Sequence, residues 1–405
     1  MKILFIHQGM PGQFAELIKL CRSKGDDVYG VGMQEVNNKA IFNEYWKYTP
    51  TSGTTEAAFP IIHEAETKSI RGYHCFNLLK KKKEQGFSPD IIYAHPGWGE
   101  SLYVKHLWPN IPLITFQEFF YSLINSDLDY DPEFNNSEND SIAPFRLEFK
   151  NALALQSVFQ SDACISPTYW QASQFPQSIN KKFIVQHEGV NLSGIDQILN
   201  SKIVSPFYRK NVPYVTYMAR NLEPYRGFHS FMRAAKVILS LDKSINIFII
   251  GSESGRGYGS GAPNKQSWKQ YLNAELASTI NNKRVHFLGP LSYQDYILTV
   301  SKSLAHIYLS YPFVLSWSVL EVMYLKIPII VNDIPMNSEL IEDNVTGYHC
   351  DFFSPRDIAN KVINTLNGSQ SQNICNNAHQ KIKDSYDSVK CSKLIRDILI
   401  ANVSN

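Results

Sequence analysis

The chain has 405 residues, of which 44% are hydrophobic and 19% are charged, so it is long enough for two ordinary globular domains. No apolar run reaches the ~20 residues that a membrane helix needs, and the opening MKILFIHQG lacks the cleavage site of a signal peptide. The six cysteines are scattered without a C-x-x-C pair, which favours reduced, buried thiols over disulfides or a zinc site. These features predict a cytoplasmic protein.

Charge is distributed unevenly along the chain, although the net charge is only +2. Residues 1–205 hold 18 basic and 22 acidic residues, whereas residues 206–405 hold 21 and 15. A basic second half favours an anionic ligand that is bound mainly by that half. A chance distribution is the alternative.

Short apolar strands alternate with helical segments through the first half. The predicted strands are KILFI, DVYGVGM, DIIYAH, PLITFQ, DACIS and KFIVQH. After the first strand, Phe14, Leu17, Ile18 and Cys21 repeat at helical spacing, and Gly25 ends that helix. This alternation predicts a parallel sheet with helices on both faces.

The pattern weakens over residues 191–213 and then starts again. The strands predicted there are PYVTYMA, INIFIIG, RVHFLG, AHIYLS and IPIIVN, with helices over 228–239, over SYQDYILTVSKS and after the N-cap Ser354. We therefore predict an α/β fold of two Rossmann-like, doubly wound domains that face each other across a cleft. The predicted limits are 1–200 and 206–385, followed by a C-terminal helix in 386–405 that packs back on the first domain.

Three motifs follow predicted strands, where ligands of such sheets bind. HQGMPGQF places Gly9 and Gly12 before a helix, as an anion-binding loop or a plain tight turn. YAHPGWGES places His95 at a sheet edge, as a catalytic or a structural histidine. MARNLEPYRGF places Arg220 and Arg226 around a turn before a helix, which is typical of a pyrophosphate site; surface arginines are the alternative.

The segment YLSYPFVLSWSVLEVMYLKIPIIVND is apolar almost throughout, yet it carries Glu321 in its middle. A buried carboxylate is costly unless a partner pairs with it, so we expect Glu321 to bind a polar ligand.

Other motifs argue against several classes of protein. The segment DLDYDPEFNNSE has Asp127, Asp129, Asp131 and Glu138 at calcium-loop spacing, but Pro132 stands where that loop needs glycine, so we reject calcium. No G-x-S-x-G, H-E-x-x-H or P-loop pattern is present, which weighs against hydrolases, metalloproteases and P-loop ATPases.

Taken in order, MKILFIHQGMPGQF, AHPGWGES, MARNLEPYRGF, RVHFLGPLSYQDYI and YPFVLSWSVLEVM resemble the retaining glycosyltransferases of family four, within the glycosyl transferases group 1. The resemblance covers nearly the whole chain and implies the GT-B architecture. It implies transfer of a sugar from a nucleoside-diphosphate sugar, of UDP or GDP type, to an acceptor with retention of anomeric configuration. No cofactor and no metal are implied.

The resemblance also assigns roles to residues. Glu321 matches the second glutamate of the family's Glu-x7-Glu motif, which accepts hydrogen bonds from ribose hydroxyls. The first glutamate is replaced by Phe313, so backbone amides of Val314, Leu315 and Ser316, with the hydroxyls of Ser316 and Ser318, are expected to take over the sugar contacts.

Further assignments concern the phosphates and the sugar. Arg220 and Arg226 match the basic pair on the donor phosphates, and His95 matches the histidine near the reacting sugar. Gly9 and Gly12 match the glycine loop after the first strand. Arg220, Arg226, His95 and Glu321 are thus the candidate catalytic residues.

Partners and competing functions follow from the same resemblance. The expected acceptor is a glycan, a lipid-linked molecule or a protein in bacterial polysaccharide, lipopolysaccharide or glycoconjugate synthesis, with no role for nucleic acid. The run Lys80–Lys83 is predicted to be a solvated helix face, and peripheral contact with the inner membrane face is the alternative. The competing functions are a nucleotide-sugar epimerase, a phosphorylase-like enzyme and a non-catalytic sugar-binding protein.

Overall fold

The computed structural model describes residues 1–134, 141–208, 212–253, 257–259, 261–276 and 282–403. Contacts divide the chain into two compact units. The first unit comprises Met1–Leu128, Ser137–Gly189 and Ser388–Asn405, and the second comprises Asp129–Asn136 and Val190–Asp387.

The first unit contains a parallel sheet of seven strands in the order β3-β2-β1-β4-β5-β6-β7. The strands are β1 (Lys2–Ile6), β2 (Asp27–Gly32), β3 (Glu44–Lys47), β4 (Ile91–Ala94), β5 (Leu113–Phe116), β6 (Ala163–Ser166) and β7 (Phe183–Val185). The helices are α1 (Ala15–Ser23), α2 (His63–Glu84), α3 (Val104–Leu107), α4 (Ala143–Gln160) and α5 (Tyr169–Ser173).

Both faces of this sheet are buried, which explains the continuous apolar strands. On one face Ile3 and Phe5 of β1 pack with Phe14, and on the other Leu4 packs with Leu79 of α2. The strand order reverses between β1 and β4, so the carboxyl ends of these two neighbours flank the point where such sheets bind ligands.

The second unit contains a parallel sheet of six strands in the order β10-β9-β8-β11-β12-β13. The strands are β8 (Tyr214–Asn221), β9 (Asn246–Ser252), β10 (Val285–Gly289), β11 (His306–Tyr308), β12 (Ile329–Asn332) and β13 (Tyr348–Cys350). The helices are α6 (Leu192–Leu199), α7 (Phe228–Leu241), α8 (Trp268–Leu276), α9 (Tyr293–Val300), α10 (Trp317–Tyr324), α11 (Pro335–Leu340), α12 (Pro355–Asn367) and α13 (Ser371–Ser385). Here the order reverses between β8 and β11.

The last helix, α14 (Ser388–Val403), belongs to the first unit. Its Ile395 and Leu399 are buried in the same core as Ile18 of α1. Arg396 donates to the carboxylate of Asp26 from Nε at 2.7 Å and from Nη2 at 3.1 Å.

The predicted fold class is confirmed: both sheets are parallel and carry helices in an α/β arrangement. Every strand predicted from the sequence is present, and Ser354 caps α12 as expected, since its side chain accepts from the Asp357 N–H. All six cysteines are buried and none of them forms a disulfide, also as predicted.

Several elements were missed by the sequence analysis, among them two strands and helix α6. The edge strand β3 has the polar sequence EYWK, and β13 is only three residues long, so neither gives a strand pattern. Helix α6 lies where the sequence pattern is weakest.

Candidate functional site

A cavity of about 460 Å³ lies in the second unit, where β8, β9 and β11 end. Five of the predicted site residues line it, namely Arg220, Arg226, Ser316, Ser318 and Glu321. Aromatic and apolar side chains form much of the remaining wall, including Met218, Leu291, Tyr293, Tyr296, Tyr308 and Trp317. Val314 and Leu315 are not among the lining residues. A mostly apolar wall with a few convergent polar groups is typical of small-molecule sites.

Arg220 lies near the end of β8, and Arg226 lies in the turn between β8 and α7. A single 3₁₀ turn, Pro224–Arg226, leads to Gly227, whose φ of 68° and close approach to Leu309 leave no room for a side chain. Arg226 donates from Nη1 to the Ser310 hydroxyl at 3.1 Å. Among the described residues, neither Arg220 nor Arg226 forms an ion pair with a carboxylate. Both cations are therefore available to an anion.

Glu321 projects from the second turn of α10, which is capped by the Ser316 side chain through the Ser318 N–H. Only 7% of Glu321 is exposed, and its Oε1 accepts from the Tyr293 hydroxyl at 2.9 Å. Burial raises the pKa of Glu321, and the nearby tyrosine hydroxyls offset this only in part. The buried hydroxyl of Tyr296, also in the cavity wall, interacts with the same carboxylate. The cavity thus offers a buried carboxylate acceptor, flanked by two tyrosine hydroxyls, to a polyhydroxylated ligand.

Glu223, which the sequence analysis missed, lies in the turn that carries Arg226. It is 5% exposed, and its carboxylate packs against the backbone of Gly257. Burial raises the pKa of Glu223 to about 7, against the opposing effect of Arg226 and Arg220. Its position three residues before Arg226 in NLEPYRG is the only sequence signal for it.

Phe313 is buried and belongs to an aromatic cluster. Its ring lies 5.4 Å from that of Tyr225 and 5.0 Å from that of Tyr258, centroid to centroid. The Arg226 guanidinium lies 5.5 Å from the Tyr258 centroid and 5.9 Å from the Phe313 centroid. The side chain at this position therefore packs beside the arginine, at a distance that allows a cation–π contact.

In the first unit, histidines end neighbouring strands with the same local geometry. His7 follows β1 and accepts from the Gly9 N–H at Nδ1 (3.0 Å), and His95 follows β4 and accepts from the Gly97 N–H at Nδ1 (3.1 Å). His187 repeats this His-x-Gly turn after β7. The bond to Nδ1 places the proton of each neutral ring on Nε2.

A buried polar chain links two of these histidines. His7 Nε2 donates to Gln13 Oε1 (2.7 Å), Gln13 Nε2 donates to Glu118 Oε1 (2.6 Å), and His95 Nε2 lies 3.1 Å from Glu118 Oε2. The Trp98 ring stacks on His95 at 4.3 Å. These contacts hold the His95 ring in one orientation.

Electrostatics differ along this polar chain. Burial, and the nearby His95, lower the pKa of His7 to about 3. Burial tends to raise the pKa of Glu118, but His95 and Gln13 outweigh it and hold that pKa below its usual value. Glu118 is thus an ionised partner for His95. It was missed from sequence because nothing in FQEFF marks it.

Gly9 and Gly12 serve the histidine in this structure. Gly9 donates its N–H to His7, and a side chain on Gly12, whose φ is +50°, would collide with the His7 ring. Their predicted role in binding the donor stays a prediction. These two glycines and His95 belong to the first unit, whereas the other predicted site residues belong to the second.

Within the described residues, no group of three or more His, Cys, Asp or Glu side chains is arranged to hold a metal ion. Across the same residues, no helix combines the length and apolar character needed to cross a bilayer.

Comparison with known families covers most of the chain. The family described as Glycosyl transferase family 4 group matches residues 24–195, and the family described as Glycosyl transferases group 1 matches residues 204–382. A GT-B glycosyltransferase, Anabaena HepE in complex with UDP, matches in structure with a TM-score of 0.69 and 18% identity, over 99% of this chain and 100% of that one. The chain is a glycosyltransferase of the GT-B type.

Other solved structures share the fold of this glycosyltransferase. A glycosyltransferase from Rickettsia africae has a TM-score of 0.69 at 14% identity, covering 100% of this chain and 98% of that one. Sucrose-phosphate synthase from Thermosynechococcus elongatus has a TM-score of 0.70 at 13% identity, covering 98% and 99%. Curated proteins give no significant match to the sequence. HepE has also been solved with UDP and glucose, and with UDP-glucose.

Proposed function

We propose that this glycosyltransferase transfers a sugar from a UDP- or GDP-sugar to a glycan, lipid-linked or protein acceptor, with retention of anomeric configuration. The observation that carries the proposal is the cavity of the second unit, in which Arg220 and Arg226 accompany the buried Glu321. Guanidiniums that form no ion pair with a carboxylate of the described residues suit a diphosphate, and a buried carboxylate suits a pair of ribose hydroxyls. The structural likeness to HepE, which binds UDP and UDP-glucose, adds support.

In this proposal the bond between the sugar C1 and the diphosphate oxygen breaks while a bond from C1 to the acceptor oxygen forms on the same face. Charge develops on the leaving diphosphate, and Arg220 and Arg226 stabilise it, which is electrostatic catalysis of the leaving group. The acceptor proton passes to the departing phosphate. Among the predicted site residues, no carboxylate stands out as a nucleophile. The resemblance to family four assigns the holding of the donor sugar to His95.

The nucleotide is identified by a thermal-shift panel of nucleoside diphosphates and their sugars. A ligand at ~100 times its Kd should raise the free energy of unfolding by about 2.7 kcal/mol. Proton NMR of the first product then reports its anomeric configuration. A panel without any stabilising nucleotide would refute the donor class, and an inverted product would refute retention alone.

Independence from metals is part of the proposal, because two arginines can neutralise a diphosphate without a cation. We expect turnover to survive EDTA. Loss of turnover in EDTA that Mn²⁺ or Mg²⁺ restores would contradict this.

A cytoplasmic location, with peripheral contact at the inner membrane face, completes the proposal and would suit a lipid-linked acceptor. The basic run Lys80–Lys83 at the end of α2 supports it. Co-sedimentation with anionic but not with neutral vesicles is the expected result, and equal recovery with both would count against membrane contact.

A further inference from the structure

The segment rejected as a calcium loop has a different environment. Its described part in the second unit, residues 129–134, lies in sequence between two stretches of the first unit. Asp131 is 2% exposed. Its Oδ2 accepts from the Tyr311 hydroxyl at 2.6 Å and lies 3.0 Å from His229 Nε2, while Oδ1 accepts from the Glu133 N–H at 3.0 Å. Glu138, the last residue of the supposed loop, lies outside the described residues.

Tyr130, the preceding residue, makes a second contact with the same region. Its hydroxyl accepts from Asn332 Nδ2 at 3.0 Å. Asn332 is fully buried and also brackets Ser310, donating to the Ser310 carbonyl at 2.8 Å and accepting from the Ser310 N–H at 3.1 Å. The Tyr130 ring packs against that of Tyr311 at 5.3 Å. Consecutive residues of the segment thus hold the consecutive residues Ser310 and Tyr311.

Ser310 and Tyr311 also contact the turn that carries Arg226. The Ser310 hydroxyl accepts from Arg226 Nη1 at 3.1 Å and donates to the Tyr311 carbonyl at 2.9 Å. The Tyr311 N–H donates to the carbonyl of Tyr225, the residue before Arg226, at 3.0 Å, and the two tyrosine rings lie 5.0 Å apart. A continuous set of buried contacts therefore runs from the segment to the guanidinium.

We propose that Tyr130 and Asp131 are positioning residues for Arg226. They fix the Ser310–Tyr311 turn, which in turn fixes the guanidinium at the wall of the cavity. The inference rests on the proposed function, because it takes the ligand of Arg226 to be the diphosphate of a nucleotide. It gives the segment 129–134 a role in donor binding although none of its residues lines the cavity.

The experiment compares Tyr311→Phe and Tyr130→Phe with the unsubstituted enzyme. Each removes one hydroxyl of the contact set and keeps the ring. Calorimetry measures Kd for UDP or GDP, whichever the enzyme binds, and for the matching nucleoside, which lacks phosphates. We expect the diphosphate to bind about fivefold more weakly, at the lower end of couplings between sites. Nucleoside affinity should not change, since Arg226 does not serve it.

Glu133→Gln is the matched control. Glu133 holds the same segment through two bonds to Arg233, at 2.6 and 2.7 Å, without touching Ser310 or Tyr311. Its affinities should equal those of the unsubstituted enzyme. The inference is overturned if both Phe variants bind the diphosphate normally, or if diphosphate and nucleoside weaken by the same factor. An unsubstituted enzyme that binds no nucleoside diphosphate would overturn the proposed function, and this inference with it.

Discussion

Two buried glutamates near the arginines have different surroundings at the scale of single residues. Glu321 keeps one oxygen on Tyr293 and faces the cavity. Glu223 lies in the turn that carries Arg226, with its pKa raised to about 7 by burial. Glu321 is thus placed to contact a ligand, whereas Glu223 changes its protonation state near neutral pH.

Substitution of Glu321 by Gln should weaken nucleotide binding. An amide keeps the shape but loses the ionised acceptor of hydroxyl groups, which costs roughly 1.5–3 kcal/mol. Calorimetry with the cognate nucleoside diphosphate measures the change. The 2′-deoxy nucleotide is the control, because it lacks one of the hydroxyls assigned to Glu321. The difference in affinity between the variant and the unsubstituted enzyme should therefore be smaller with it. An unchanged affinity for the ribonucleotide would remove Glu321 from the site.

Glu223→Gln should change how stability depends on pH. In the unfolded chain this carboxyl ionises near its usual pKa of about 4.3, but in the folded chain only near 7. Between these values the folded state binds more protons, so the contribution of Glu223 to stability falls as pH rises. The free energy of unfolding of the variant, relative to that of the unsubstituted protein, should be higher at pH 8 than at pH 4 by roughly 2–3 kcal/mol. Urea unfolding of both proteins at pH 4 and pH 8 tests this. The same stability difference between them at both pH values would contradict it.

At the scale of elements, the loop between β11 and α10 shapes one wall of the cavity in the second unit. Ser310 at its start binds Arg226, and Ser316 at its end caps the helix that carries Glu321. Phe313 lies between them among the rings of Tyr225 and Tyr258. The position that the resemblance to family four matches to a glutamate is thus filled by a side chain that packs in an aromatic cluster.

Substitution of Phe313 should destabilise the second unit. Phe313→Ala is expected to cost about 3–5 kcal/mol, the range for a buried phenylalanine, and Phe313→Glu to cost more because a charge would also be taken out of water into an aromatic cluster. Phe353→Ala, at a site that is 50% exposed, is the control and should cost much less. The free energy of unfolding in urea is measured. A folded Phe313→Glu with faster donor turnover would instead show that the missing carboxylate limits activity.

Helix α14 contributes to the first unit from the far end of the chain. Leu399 is fully buried in the core beside α1, so Leu399→Ala should cost about 2–5 kcal/mol. Leu394→Ala is the matched control, because that side chain lies on the same helix and is 51% exposed. Equal urea unfolding curves for the two variants would mean that α14 does not support the core.

At the scale of the whole molecule, we expect stability to fall at low pH, because each unit buries a neutral histidine. The pKa values of His7 and His306 are lowered to about 3 by burial, from about 6.5 in the unfolded chain. Between these values the unfolded state binds more protons, so stability is lost as pH falls from about 6.5 towards 3.

A variant isolates one of these histidines. His306→Gln should flatten the fall of Tm between pH 6.5 and 4, whatever its effect at neutral pH, whereas the exposed His63→Gln should leave the slope unchanged. Calorimetry across this range measures both slopes. A full slope in His306→Gln would show that the histidine is not buried neutral.

Local patterns predicted much of the fold and part of the site. Apolar strands, alternating with helices, predict two parallel sheets, because a strand buried on both faces must be apolar throughout. The strand ends then mark where ligands bind, which places His95, Arg220 and Arg226 at sheet edges. A carboxylate in the middle of an apolar segment marks Glu321.

The sequence by itself determined the α/β class, the strands other than β3 and β13, the burial of the cysteines, and Arg220, Ser318 and Glu321 in the cavity wall, because each has a local signal in periodicity or in a motif. Only the tertiary structure decided which side chains contact the site residues. Tyr293 meets Glu321, Glu118 meets His95, and Asp131 meets Tyr311 across 180 positions of the chain. Such contacts leave no local pattern, because partners distant in sequence are brought together only when the sheets form.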